Sequence, residues 1–350
     1  MLAPVKHYLP LTLIRRERVL PQPGKVLVRA GQKVAATDAI AEAGLFPDFL
    51  LLDVARSLQL NASKTEQYLQ IHTGDQLAQG DVIAGPVGLA NRIVRAPRDG
   101  KVVLVGEGQV LLETTGKLFQ LKAALPGNVV ELIDDRGALI ETTGALIQGV
   151  WGNGRIEAGV LSVLAKKPDM LLTLADLDVS LRGSIVLAGY CNDPDVLSMA
   201  EELPLRGLVF GSLAASLLPV AAKLTCPVLV IEGVGDHPLN PMVFKLLSTS
   251  ERREVALNAE PWDRYTGARP ELVIPLPAPG STSIPQDTVV FEVEKSVRVL
   301  RGSHAGELGL IVNLKGSVVF PGGLRSRAAE VRFEDGKTQF LPLANLEIVI

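Results

Sequence analysis

From residue 184 onward, short unbroken apolar runs alternate with stretches of helical period. The runs 184–189, 207–211, 227–231 and 253–257 are short and rich in Val, Ile and Leu, so they predict strands. Between them lie predicted helices at 193–203, 213–224 and 241–247. Asp193 is placed to cap the first, and Pro194 suits its first turn. This alternation predicts βαβ units and a small parallel sheet, an α/β domain over 170–265. Runs that are apolar throughout fit strands covered on both faces.

The first 165 residues follow another rhythm. Residues 26–41 align with 69–84 at an offset of 43. Gly31 matches Gly74, Ala35 matches Ala78, Asp38 matches Asp81, Ile40 matches Ile83 and Ala41 matches Ala84. Each copy reads as strand, glycine turn, strand. A second repetition sets Leu-Leu-Glu-Thr-Thr-Gly at 111–116 against Leu-Ile-Glu-Thr-Thr-Gly at 139–144. Leu51, Val54, Ala55 and Leu58 have the spacing of one helix face, so a helical insert is predicted over 48–66 with Asp48 as its cap. The expectation is a β domain over 1–165 carrying that insert. Residues 266–287 predict a linker, with Pro275, Pro277, Pro279 and the run Gly280-Ser281-Thr282-Ser283. Beyond it, β runs at 289–291, 297–300, 310–312, 318–320, 329–333 and 339–341 predict a small barrel over 288–350. The fold class expected is therefore multidomain, β-rich plus α/β.

Composition narrows the function classes. Cys191 and Cys226 are too few for a disulfide framework or a cysteine zinc site, and the four histidines are scattered. No metal and no cofactor are expected. A net charge of −3 argues against a chain that is basic throughout, though one module could still be locally basic. Aromatics make up only 4%, so the cores must be aliphatic. No signal-peptide pattern opens the chain, and no apolar run is long enough to span a bilayer. A cytoplasmic protein without membrane insertion is the reading.

Two stretches carry family resemblances. Gly74-Asp75, the run Gly80-Asp81-Val82-Ile83-Ala84 and the turn Ala96-Pro97-Arg98-Asp99-Gly100-Lys101-Val102 resemble biotinyl/lipoyl-like, barrel-sandwich-hybrid domains over about residues 20–120. Neither the Met-Lys-Met hairpin of biotin carriers nor the lipoyl lysine context occurs, so the resemblance implies a scaffold rather than a covalent carrier. Residues 297–312, with Gly302, Gly306 and Gly309 in the loop between two strands, resemble the KOW motif. That resemblance implies an SH3-like barrel contacting nucleic acid or a protein partner. Arg298, Arg301, His304 and Lys315 are the residues it would use.

The α/β region offers one further edge. Glu232 ends a predicted strand, where α/β folds place ligands, and Asp236 and His237 follow in the loop. Gly211-Ser212 could hold an anion, and Cys191 follows the first strand of the region. No catalytic motif stands out, and the reading leans away from an enzyme. Three readings stay open. The first is a non-catalytic binding or scaffold protein near the transcription or translation machinery. The second is an enzyme or small-ligand sensor using the strand-end edge. The third is a soluble subunit of a membrane redox complex.

Overall fold

The computed structural model describes residues 2–44, 47–88, 90–114, 118–263, 265–277 and 284–350. The chain divides into two compact units. One joins Met1–Val19, Val28–Ile40 and Lys122–Ile350, and the other joins Leu20–Leu27 and Ala41–Leu121. The division therefore does not fall at the expected boundary near 165. Strand ladders explain why. Strand Tyr8–Val19 pairs along Gly137–Gln148, which also pairs with Glu271–Pro275. Strand Ile156–Val163 pairs in parallel with Ser184–Cys191. These ladders tie both ends of the expected β domain into the α/β region.

The smaller unit holds a four-stranded antiparallel sheet in the order Asp48–Asp53, Gln109–Thr114, Gly100–Gly106, Gln76–Leu77. Its core gathers Val54, Leu58, Ile83, Val102, Val110 and Leu112. The helical insert begins later than expected. Residues 48–53 form a strand, with Asp48 opposite Thr114 and Asp53 opposite Gln109. Helix follows only at Val54–Leu58 and Ala62–Thr65. The cap is Asp53, whose carboxylate accepts from Arg56 N at 2.9 Å, and not Asp48.

The larger unit is built on an eleven-stranded mixed sheet. At its centre Ile156–Val163, Ser184–Cys191, Gly207–Leu213 and Val228–Val234 run parallel. Alternate residues feed two cores. Val186, Leu208, Phe210 and Val230 pack on one, and Leu187, Val209, Leu229 and Ile231 on the other. That double burial is why these runs are apolar without alternation. Strand Glu254–Asn258 is not a fourth parallel neighbour of this series. It pairs antiparallel with Ile156–Val163, Glu254 opposite Val160 and Asn258 opposite Ile156. Helix Pro194–Glu202 is capped by Asp193, and helix Pro241–Ser248 by Asn240. The helix expected over 213–224 is cut down to Ala215–Leu217 and Leu218–Ala221. Residues to 213 are claimed by the preceding strand, and Pro219 can sit only in a first turn.

A seven-stranded sheet of the same unit contains the C-terminal region, in the order Thr288–Val290, Leu2–Lys6, Leu346–Val349, Ser296–Val299, Leu308–Val319, Arg325–Phe333, Thr338–Pro342. The runs expected at 310–312 and 318–320 are one twelve-residue strand with two register shifts. The N-terminal strand is built into this sheet. It runs antiparallel to Thr288–Val290 and parallel to Leu346–Val349. Of the expected linker, residues 271–275 are instead the strand Glu271–Pro275, buried from Glu271 to Ile274. Residues 278–283 of it lie outside the described residues, as do Thr115 and Gly116 of the shorter repeat.

The longer repeat has one backbone device in both copies. Gly31 and Gly74 turn at positive φ. The Asp38 carboxylate accepts from Ala35 N at 2.8 Å, and Asp81 from Ala78 N at 2.7 Å. Among the described residues no helix is long and apolar enough to cross a membrane.

Candidate functional site

Glu232 stands near the end of strand Val228–Val234 and is buried. A carboxylate taken from water needs donors. Its Oε1 accepts from Asn240 N at 3.1 Å, and its Oε2 accepts from the Tyr8 hydroxyl at 2.9 Å. The Lys6 ammonium lies 3.5 Å from Oε2 and donates to the Ile231 carbonyl at 2.6 Å. Lys6 is wholly buried, which brings its pKa down to about 7 although Glu232 pulls the other way. Burial, and then the Glu232 charge, push the Tyr8 hydroxyl well above its ordinary value.

A second carboxylate continues the network. Glu347 is fully buried in strand Leu346–Val349. Arg298 Nε donates to its Oε1 at 2.6 Å, and Arg269 Nη2 to its Oε2 at 2.6 Å. Burial acts to raise the Glu347 pKa, but the two guanidinium groups outweigh it and hold the carboxyl below its ordinary range. Arg298 Nη1 also donates to the Glu232 carbonyl oxygen. The guanidinium of Arg269 lies 4.3 Å over the Trp262 ring. Lys6, Arg269 and Arg298 thus meet Glu232 and Glu347, and the network joins the N-terminal strand, the parallel sheet and the C-terminal strands.

This geometry corrects several expectations. Glu232 is held by Asn240 N, the Tyr8 hydroxyl and Lys6 and serves as an internal anchor. Arg298 is 5% exposed and committed to Glu347, so it offers nothing to a phosphate in solvent. Ser212 Oγ donates to the His237 carbonyl at 2.8 Å and accepts from His237 N at 3.1 Å, so it fixes the loop and holds no anion. A Cβ on Gly211 would stand 2.7 Å from Leu239 Cγ, which leaves no space for a ligand at that backbone. Cys191 is buried, and burial raises its thiol pKa, the reverse of what a reactive thiol needs. Asp236 is exposed.

The strand-end edge and the KOW-like loop do meet. The His237 ring rests on Gly306, where a Cβ would lie 2.9 Å from Nε2. A cleft of about 370 Å³ opens there, lined by Glu232, His237, Asn240, Glu307, Phe333 and Asp335 among others. His304 stacks on Phe333 with ring centroids 4.6 Å apart, and its Nδ1 lies 3.0 Å from Glu307 Oε2. Among the described residues no group of three or more His, Cys, Asp or Glu could hold a metal ion.

Arg301 and Lys315 are exposed. Lys315 has two basic neighbours that the sequence already showed a little further along the chain. Arg325 and Arg327 are exposed on the facing strand of the same hairpin. Being two apart, they share one face, while Lys315 lies opposite Ala328 and falls on the other. No Asp or Glu occurs between Glu307 and Glu330. Lys6, Tyr8, Arg269 and Glu347 were also missed. Lys6 and Glu347 had a signal, each a lone charge inside an apolar strand pattern. No protein-family model matches the chain, and no curated protein matches it either.

Proposed function

We propose that the chain is a non-catalytic binding and scaffold protein whose C-terminal barrel contacts nucleic acid through the hairpin Leu308–Phe333. The observation that carries the reading is the acid-free run between Glu307 and Glu330, with Lys315, Arg325 and Arg327 exposed on both hairpin faces. The KOW-like residues around Gly302–Gly309 are compatible with this partner class, since that resemblance implies a nucleic-acid or protein contact. The candidate catalytic groups support the non-enzymatic half, since Glu232 and Ser212 serve internal bonds. The repeat with its Gly31 and Gly74 turns, similar to unmodified barrel-sandwich domains, is read as scaffold.

The test is binding of the full chain to labelled single-stranded RNA and duplex DNA across salt. Three phosphate contacts predict a slope of roughly −2 to −3 in log K against log salt. The triple variant K315E/R325E/R327E should abolish that slope with melting unchanged. No affinity for either nucleic acid at low salt removes the reading.

A further inference from the structure

Past Lys315 and Ala328 the C-terminal hairpin leaves its sheet. Ser296–Val299 pairs with its first strand only from Leu308 to Leu310, and Thr338–Pro342 with its second only from Ala328 to Arg332. What continues is a two-stranded arm, with Val318 opposite Ser326 and Val319 opposite Arg325. No residue from Lys315 to Arg327 is buried. The arm closes at its tip, where Phe320 N donates to the Leu324 carbonyl at 2.8 Å. At the rise of a strand, Lys315 to Val319 spans roughly 13 Å.

Two features of the arm select a ligand. Arg325 and Arg327 share one face, and Lys315 lies on the other. Among the described residues none of these three cations is engaged in an ion pair. The tip, by contrast, is apolar: Val319 is 60% exposed and Leu324 62%. The complementary ligand has anions on two sides and apolar groups between them. A lipid surface or a single strand meets one face only. A duplex groove has phosphates along both walls and base edges on its floor. Size decides which groove. A two-stranded ribbon with side chains on both faces is roughly 10 Å thick. The major groove of B-DNA is about 12 Å wide and about 8.5 Å deep, whereas its minor groove is about 6 Å wide. A-form RNA closes its major groove to side chains.

We propose that the arm enters the major groove of duplex DNA tip first. Arg325 and Arg327 face one phosphate strand and Lys315 the other, while Val319 and Leu324 meet thymine methyls on the floor. This rests on the nucleic-acid reading above and narrows it to duplex DNA.

The full chain is titrated with a labelled thymine-rich DNA duplex, the same duplex with uracil for thymine, the matching RNA duplex and one single strand. The DNA duplex should bind roughly tenfold or more tighter than the RNA duplex or the single strand. Uracil should weaken it roughly threefold or more, because each methyl is lost from an apolar contact. V319S/L324S, at exposed sites, should keep its melting temperature and salt slope while becoming indifferent to the methyl. Methyl green, a major-groove ligand, should displace the chain, and netropsin, a minor-groove ligand, should not. Preference for RNA or the single strand, equal binding of the thymine and uracil duplexes, or displacement by netropsin overturns this inference and leaves the broader reading standing. Absence of binding to every nucleic acid, or tighter binding to phosphatidylserine vesicles than to any of them, overturns both.

Discussion

At Lys6 the direction of pH dependence can be worked out. The folded chain releases this proton near pH 7, whereas an unfolded lysine keeps it to about 10.5. Between those values the unfolded state holds more protons, so raising the pH stabilises the fold by up to about 1.4 kcal/mol per pH unit from this group. Tyr8 acts in the opposite sense above pH 10, because an unfolded tyrosine ionises there and the buried one does not. Thermal melts from pH 7 to 9 should therefore show a rising contribution that K6M removes; an unchanged pH profile in K6M would refute the assignment. Gly306 carries a second residue-scale expectation. Its φ is +88° and its side-chain position is taken by the His237 ring. Gly306→Ala should destabilise by about 1–3 kcal/mol, read by denaturant unfolding. H237A should recover part of that loss by vacating the space, and no recovery would separate the steric cause from the backbone one.

Among elements, the N-terminal strand decides what can be cut. Leu2–Lys6 is flanked on both sides in the seven-stranded sheet, Val5 opposite Ile348 and Ala3 opposite Val289. The segment 288–350 alone lacks this strand and buries Glu347 without Lys6 or Arg269. It is expected to give the poorly dispersed NMR spectrum of an unfolded chain, and deletion of residues 1–7 from the full chain should abolish cooperative melting of the C-terminal region. A well-dispersed NMR spectrum from 288–350 would contradict this. The same element shows where sequence reading stopped. The parallel strands were legible because burial on both faces makes the apolar run unbroken, as in Ser184–Cys191. The cap at Asp193 was legible because its chemistry is local. Strand Asp48–Asp53 was not. Leu51 continues into the helical spacing of Val54, Ala55 and Leu58, and the competing ladder to Gln109–Thr114 is more than fifty residues away. The partner of Leu2–Lys6 lies farther still, beyond any local pattern. At the site, residue types near the strand end were identified, yet their roles were inverted. Glu232 and Arg298 met each other rather than a ligand, and nothing local announces Arg269 as the second donor to Glu347.

Over the whole larger unit, the buried charges work as a clamp between the eleven-stranded and seven-stranded sheets. Removing Arg298 leaves buried Glu347 with one guanidinium in place of two, that of Arg269. Arg298→Met is expected to cost about 3–5 kcal/mol of unfolding free energy, measured by chemical denaturation. At temperatures well below its melting point, that variant should bind nucleic acid as the parent does, because its guanidinium never reaches solvent. Lower affinity in folded R298M would return Arg298 to the contact surface. Joint replacement of Arg269, Arg298 and Glu347 by apolar residues should be milder than loss of Glu347 alone, which strands both guanidinium groups.

The strand Leu2–Lys6 also sets an order in time. It is synthesised long before its neighbour Leu346–Val349. Until then one edge of Leu2–Lys6 stays unpaired, even once Thr288–Val290 has joined the other. Pairing so distant in sequence is slow, and it leaves strand edges open meanwhile. A translation product halted before residue 346 therefore lacks both its closing strand and Glu347, the carboxylate that Arg269 and Arg298 share.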